Sequence, residues 1–374
     1  MERYRQTIYC DLGFLKSLLS RLDENSSGLD VSLNEENEII VNMRNLILSP
    51  DVKLYMNMSR EEYDKIQTEI YKKRLKAAKK GKIFELTSFE RLMCDLEMRQ
   101  QNNVSHLHIN TQKVHYDDSL LQGNFLNAIF FSCESKETCE KAMKDYGILV
   151  VSSETIEDFQ YLLFDQGVAI RKSEESDWEK CLSSENASIP CNSLIIIDNY
   201  ILNDSDKMKE NLIPLLDSIL PKSLKKSVSF QLTIFATLKN DKGVDYEING
   251  RYTKIMDILE KVRPGMLFSL SILKCKKDTF HDRSIASNNL FIGCGGGFDL
   301  FKNGRSQKTT TVFAFHPFFY MHSKWSRKAY SDLLNDASIV FKMATTLDNL
   351  DMQYRCSNYV FGVKQNRLMD QIVL

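Results

Sequence analysis

The sequence has no run approaching the roughly 20 apolar residues that a membrane-spanning helix needs, which excludes an integral membrane protein of the helical kind. It has nine cysteines but no CxxC pair, which argues against a structural zinc site or a disulfide framework. Cys10, Cys94, Cys133, Cys139, Cys181, Cys191, Cys275, Cys294 and Cys356 instead read as small buried residues of a reducing cytoplasm. It has almost no net charge, −1 over the chain, so no global basic field draws it onto nucleic acid. It has no internal repeat and no long low-complexity tract. The opening stretch MERYRQTIYCDLGFL carries Asp11 inside its apolar run and does not read as a signal peptide.

The chain has 374 residues with a hydrophobic content of 43%, enough for two domains, each with its own core. A polar, Ser/Glu-rich stretch from Arg171 to Ser193, ending after Pro190 in a strongly apolar segment, is the expected linker. The expected division is therefore residues 1–170, a linker over 171–193, and residues 194–374. Both halves alternate strand-like and helix-like segments. That pattern predicts an α/β protein of two domains, each a mostly parallel sheet flanked by helices.

In the first half Thr7–Cys10 reads as a strand and Leu12, Leu15, Leu18, Leu19 and Leu22 have helical spacing. The segments NLILSP and VKLYMN read as strand-like. Ser59 and Glu62 make a capping box for a long helix through KKRLKAAKK, and Thr87 or Ser88 caps the next. NAIFFS is a buried strand, KETCEKAMKDYG a helix closed by Gly147, ILVVS a strand and ETIEDFQYLLF a helix. The lysine run from Lys72 to Lys82 is either a solvated helix surface or a stripe that tracks phosphates. His106 and His108 alternate on a strand-like segment with no third ligand at metal spacing.

Metal-dependent phosphodiester cleavage needs carboxylates that converge from separate strand ends on one or two Mg²⁺ or Mn²⁺ ions. IYCDLGFLKSLL sets Asp11 at the end of the first strand, and VKLYMNMSREEYDKI sets Glu61 and Glu62 at the start of a helix after the second. AIFFSCESKETCEKAMKDYGILVVSSETIEDF sets Ser132 and Glu134 in the turn after a later strand. In this order the segments resemble PIN-type nucleases over roughly residues 5 to 165. The resemblance implies a metal-dependent endoribonuclease with Asp11, Glu62, Asp118 and Glu134 as catalytic acids. Asp11 and Glu134 would be the metal ligands, and RNA the preferred substrate. It departs from the family at Glu134, where an Asp is usual, and at Asn127, where an acid is usual and whose nearest upstream acids are Asp117 and Asp118. Each acid also has a plainer role: Asp11 as an N-cap, Glu62 in its capping box or on a solvated helix face, Glu134 as a first-turn acid favoured by the helix dipole, and Asp117 and Asp118 as loop residues.

The second half carries FHDRSIASNNLFIGCGGGFDLF, which reads as a hairpin with a glycine-rich return. Its spacing resembles the phospholipase-D signature, with His281 at the nucleophile position, Arg283 in the Lys place, Asn288 in the Asp place and Gly295-Gly296 in the Gly-Ser place. It is closer still to the degenerate phospholipase-D-like domain found C-terminal to MIT modules. With a single motif copy and an amide at 288, the resemblance implies a catalytically silent recognition domain. In it His281, Arg283 and Asn288 would bind a phosphate or other ligand, or Asp282, Arg283 and the glycines would form a structural turn. The implied partners are nucleic acid, RNA above all, and a protein partner or second copy met through this half. A bacterial defence or toxin-like setting is the implied context. The alternative is a non-enzymatic binding or assembly subunit in which both domains are scaffolds. The aromatic stretch TVFAFHPFFYMHSKW reads first as core, with a base-stacking platform or a partner surface as the alternative.

Overall fold

The computed structural model describes residues 4–25, 35–81, 85–102, 106–110, 113–122, 125–154, 165–182, 189–203, 205–238, 248–276, 279–319, 323–346 and 358–370. The first half contains β1 (Gln6–Asp11), α1 (Leu12–Asn25), α2 (Glu35–Ile47), β2 (Val52–Asn57), α3 (Arg60–Lys79), α4 (Ser88–Gln101), β3 (His106–Asn110), β4 (Ala128–Ser132), α5 (Lys136–Tyr146) and β5 (Leu149–Ser152). The five strands form one parallel sheet in the order β3-β2-β1-β4-β5.

The helices form where their caps say they should. Ser59 and Glu62 close a reciprocal capping box on α3, and Thr87 and Glu90 do the same on α4. Ser135 caps α5, which ends on Gly147 at φ 62°. A side chain at Gly147 would also strike the Cys191 carbonyl oxygen, 2.3 Å from where its Cβ would stand. The expected strand NLILSP is instead the end of α2. Ile40, Met43, Leu46 and Ile47 are buried, with the i, i+3 and i+4 spacing of a helix. The expected helix ETIEDFQYLLF lies outside the described residues after Glu154.

Strand alternation sorts this sheet into two faces. Ile8, Leu54, Met56, Ile129, Phe131, Leu149 and Val151 point into a core shared with Phe14, Leu15 and Leu92 of α1 and α4. Phe130 and Val150 point the other way, onto Cys139, Ala142 and Tyr146 of α5.

The second half contains β6 (Asp165–Ile170), α6 (Trp178–Cys181), β7 (Ser193–Ile197), α7 (Ser205–Lys207), α8 (Ile213–Ile219), β8 (Phe230–Ala236), α9 (Ile248–Val262), β9 (Phe268–Lys274), β10 (Ser284–Ser287), β11 (Phe291–Cys294), β12 (Phe301–Lys302), β13 (Arg305–Ser306), β14 (Thr310–Phe315), α10 (Ser323–Met343), β15 (Thr345–Thr346), β16 (Tyr359–Gly362) and α11 (Arg367–Asp370). Nine of these strands form a mixed sheet in the order β15-β16-β9-β8-β7-β10-β11-β14-β6. Only its centre, β7, β8 and β9, and the short β15–β16 pair are parallel. β10 and β11 are the hairpin expected of the HDR segment.

β6 ends at residue 170 and pairs with β14, so it completes the second sheet. Within the stretch expected as linker, Trp178 is fully buried against Phe298 and Phe301. A single large aromatic anchors an otherwise polar segment there. The two sheets also share core. Phe131 meets Phe319 edge-on, Tyr4 meets Tyr330, and the Tyr4 backbone N–H donates to Asn335 Oδ1 at 3.1 Å. Phe315, Phe318 and Phe319 of the aromatic stretch are buried, which is the core role; Tyr320 and the Trp325 side chain lie outside the described residues. Among the described residues no helix is long and apolar enough to cross a membrane.

Candidate functional site

In a parallel sheet, loops diverge at the strand where the winding reverses, and a crevice opens at its carboxyl end. In the first sheet that strand is β1, flanked by β2 and β4. Asp11 is its last residue. Its Oδ1 accepts from Asn57 Nδ2 at 3.1 Å, and its Oδ2 accepts from the Cys133 backbone N–H at 2.9 Å and from Ser132 Oγ at 3.4 Å. Asn57 ends β2 and Ser132 ends β4, in register with Asp11 and Ser152 respectively. Three strand ends thus supply one carboxylate, one amide and one hydroxyl.

Glu134 follows in the turn, its backbone N–H donating to Ser132 Oγ at 3.1 Å. Its carboxylate is held by Lys113 Nζ at 2.5 Å. That hydrogen bond and charge raise the Lys113 pKa, with a smaller contribution from Asp11. A lysine ammonium therefore stands beside the two acids expected to hold a metal. Against Asp11 lies a cavity of about 20 Å³ also lined by Tyr9, Tyr55, Asn57, Tyr116 and Phe130, room for about one water. Burial drives the Tyr116 pKa far up, so its hydroxyl stays neutral.

The other expected acids are turned elsewhere. Glu62 accepts from its own N-cap, Ser59 N, at 2.8 Å, and the hydrogen bonds from the Ser59 backbone and hydroxyl lower its pKa. Asp118 reaches the second half of the chain, accepting from Lys225 Nζ at 2.7 Å and Tyr146 Oη at 3.3 Å. Asp117 caps the turn that begins at Asp118. Asp11, Glu62, Asp118 and Glu134 are all described, and among the described residues no three His, Cys, Asp or Glu form a group that could hold a metal ion. A divalent hard cation needs several anionic or carbonyl oxygens free to turn toward it. Asp11, with both oxygens engaged, and Glu134, paired to a lysine, do not fit that requirement.

The second sheet repeats the geometry. Its reversal falls at β7, flanked by parallel β8 and antiparallel β10. Asp198 follows β7 directly and is fully buried. Its Oδ1 accepts from Tyr200 N at 2.7 Å and Ile201 N at 2.9 Å, and its Oδ2 from Phe298 N at 2.6 Å. Burial raises its pKa, the three N–H groups oppose that, and neighbouring Asp299 adds to it.

Arg283 enters this corner from the start of β10. Its Nη1 donates to the Gly295 carbonyl at 3.0 Å and its guanidinium lies over the Tyr200 ring. Lys308 Nζ donates to the Gly296 carbonyl at 2.6 Å and to Asp299 Oδ1 at 2.8 Å. The glycine turn is closed from within: Gly296 N–H donates to Thr310 Oγ1 and Gly297 N–H to the Cys294 carbonyl. Those amides are directed at protein acceptors, and Gly297, at φ 87°, stands where a Cβ would meet Asp198. His281 and Asp282 are exposed just before Arg283.

Asn288 is at the far end of the hairpin, buried where the two halves meet. Its Oδ1 accepts from Asn192 N and Ser193 N, each at 3.0 Å, and its Nδ2 donates to Asn127 Oδ1 at 2.8 Å. The two amides that stand where the two resemblances expect acids thus pair with each other. Two carboxylates at that separation could not both stay ionised, whereas an amide pair offers one donor to one acceptor. Asn192 Nδ2 completes the junction, donating to the Leu126 and Tyr146 carbonyls.

Asn57, Lys113 and Asp198 are site residues that sequence reasoning missed. Asp198 had a signal, since LIIID repeats the pattern of an acid directly after a buried strand that marked Asp11. Compared with known proteins, the chain matches no family model and no curated protein.

Proposed function

We propose that the chain is a non-enzymatic binding or assembly subunit in which the carboxyl ends of both sheets serve as hydrogen-bonded scaffold. The observation that carries this is that both Asp11 oxygens already accept from the protein's own groups. They take an amide, a hydroxyl and a backbone N–H, and the next acid is neutralised by Lys113. A hydrolytic centre would hold such an acid ready for an ion or a water. The closed glycine turn around Arg283 supports the same role for the second sheet. The cytoplasm suits eight described cysteines that are all free thiols, seven of them buried.

A second proposal, a PIN-type metal-dependent nuclease acting on RNA beside a silent phospholipase-D-like unit, is favoured by one observation. Asp11 ends the strand at which the first sheet reverses, with Glu134 in the adjoining turn. Melting curves with and without Mn²⁺ or Mg²⁺, run beside cleavage of a labelled single-stranded RNA, separate the two. The binding subunit shows neither a metal-induced rise in Tm nor cleavage. A nuclease shows both, and Asp11→Asn removes both.

A further inference from the structure

β14 ends at Phe315, and the chain turns at once through His316, Pro317, Phe318 and Phe319. This turn enters the core that the two halves share. Phe319 lies edge-on to Phe131 of β4, and Phe318 edge-on to Tyr330 of α10, whose ring meets Tyr4 just ahead of β1. His316 holds the turn in shape. Its Nδ1 accepts from the Phe318 and Phe319 backbone N–H groups at 3.1 and 3.3 Å. Two buried donors that have no strand or helix partner thus depend on one imidazole nitrogen. Pro317 between them has a fixed φ and no N–H of its own to satisfy.

A ring nitrogen that accepts carries no proton, so the imidazole is neutral and holds its proton on Nε2. His316 is 0% exposed, and its Nε2 meets no acceptor among the described residues. Protonation at Nδ1 would turn the acceptor of two N–H groups into a third donor and leave a cation among phenyl rings. The ionisable groups on the surrounding elements supply no counter-charge. Burial drives the pKa of Tyr4, Tyr330 and the Cys10 thiol up, so all three stay neutral. Arg327 of α10 brings a second positive charge, with Asp51 at 3.9 Å. Asp332 and Asp336 of α10 are exposed, and Asp165 of β6 lies opposite Phe315 in the backbone register. None of these moves His316: burial alone lowers its pKa, from the ordinary 6.5 to about 3.

We propose that His316 is an acid-sensitive latch between the two halves: a proton taken up at Nδ1 releases the Phe318 and Phe319 N–H groups and frees the turn from the shared core. The latch acts on the junction whatever the chain binds, so it stands apart from the binding-subunit proposal. A histidine held below 6.5 in the folded chain contributes stability that is complete above about pH 6.5 and is lost as pH falls toward the folded value. The test compares the full chain with His316→Asn, whose Oδ1 takes the place of Nδ1 as acceptor and does not titrate. Urea denaturation of both is followed from about pH 7.5 to about pH 5. Expected is an unfolding equilibrium constant that rises, relative to the variant's, about tenfold for each pH unit below about 6.5, because unfolding takes up one more proton. Amide exchange at Phe318 and Phe319, corrected for the intrinsic effect of pH, should accelerate over the same range in the unaltered chain and not in the variant. Should the variant fail to fold, NMR of the His316 ring in the unaltered chain decides: it should remain in the neutral Nε2–H form at about pH 5.5, where an unperturbed histidine is largely charged. Parallel stability profiles for chain and variant, exchange at the two amides indifferent to pH, or a His316 that titrates near 6.5 with the fold intact would each overturn the proposal.

Discussion

Asp11 and Asp198 occupy matching places, each at the carboxyl end of the strand where its sheet reverses, yet their surroundings differ. Asp198 is fully buried and accepts from three backbone N–H groups. Asp11 is half-buried and takes one backbone N–H, one amide and one hydroxyl, with a lysine nearby. Sheet geometry explains why an acid stands at each place: diverging loops leave backbone N–H groups with no ladder partner, and a carboxylate satisfies several at once. It does not say whether the acid also meets a ligand. At Asp198 the turn consumes the carboxylate entirely. At Asp11 it is shared among side chains that could be exchanged, which is where a ligand role could be gained or lost.

The largest expected effect follows from that contrast. Asp198→Ala strands N–H donors of Tyr200, Ile201 and Phe298 in the interior and should destabilise the chain by about 3 kcal/mol or more, at about 1–3 kcal/mol for each buried group left unsatisfied. Asp11→Ala should cost only about 1 kcal/mol, because the Cys133 N–H is exposed and can turn to water. Urea denaturation of the two variants measures both, and equal losses would break the comparison. The pH dependence should differ as well. Asp198 has its pKa raised above the ordinary 3.8 by burial, so its ionisation favours the unfolded chain. Its contribution to stability is therefore present below about pH 3.8 and is lost as pH rises through the raised value. Asp198→Asn should flatten that limb of the stability profile, and Asp11→Asn should leave it in place.

Between the two sheets the buried amide pair should come next in size. Asn288→Ala leaves Asn192 N–H and Ser193 N–H without their acceptor and should cost about 2–4 kcal/mol, while Asn127→Ala should cost about 1–2 kcal/mol. Because the side chains touch, the double variant should fall short of the sum by about 1 kcal/mol. Strict additivity would mean that the Asn127–Asn288 contact adds nothing of its own to the junction between the halves.

Much of this was legible because it is local. The capping boxes at Ser59 and Thr87, the Gly147 stop and the HDR hairpin are set by residues within a few positions of one another. α2 was misjudged because NLILSP was weighed without the polar EENEIIVNMR before it, and only the longer window shows the helical period. The site was legible in part. Asp11 and Glu134 do sit together, since both follow neighbouring parallel strands. Glu62 and Asp118 do not join them, because Ser59 and Lys225 claim their carboxylates. Lys113 and the Asn127–Asn288 contact could not be read at all. Lys113 meets Glu134 from a connection across the strand ends, and the two amides are 161 positions apart.

The smallest effect on stability should come from Lys113, and it sharpens the comparison most. Its pair with Glu134 is 54% and 33% exposed at the two side chains, and ion pairs of that kind contribute about 0–1 kcal/mol. Lys113→Gln should therefore leave the melting temperature nearly unchanged. Its local consequence is larger, because it removes the ammonium that pairs with Glu134 and interacts with Asp11. If that ammonium stands where a nuclease would place a metal, the neutral variant leaves two carboxylates without a counter-charge, and Mn²⁺ should bind where the lysine was. In that case Lys113→Gln should show a Mn²⁺-dependent rise in Tm, absent from the unaltered chain and abolished by adding Asp11→Asn. Asp198→Asn added in the same way should lower the starting Tm but leave the Mn²⁺-dependent rise intact. A Lys113→Gln variant indifferent to Mn²⁺ would place the obstacle in the hydrogen bonds that Asn57, Ser132 and the Cys133 N–H make to Asp11. The two strand ends would then be alike after all, both closed by the protein's own donors.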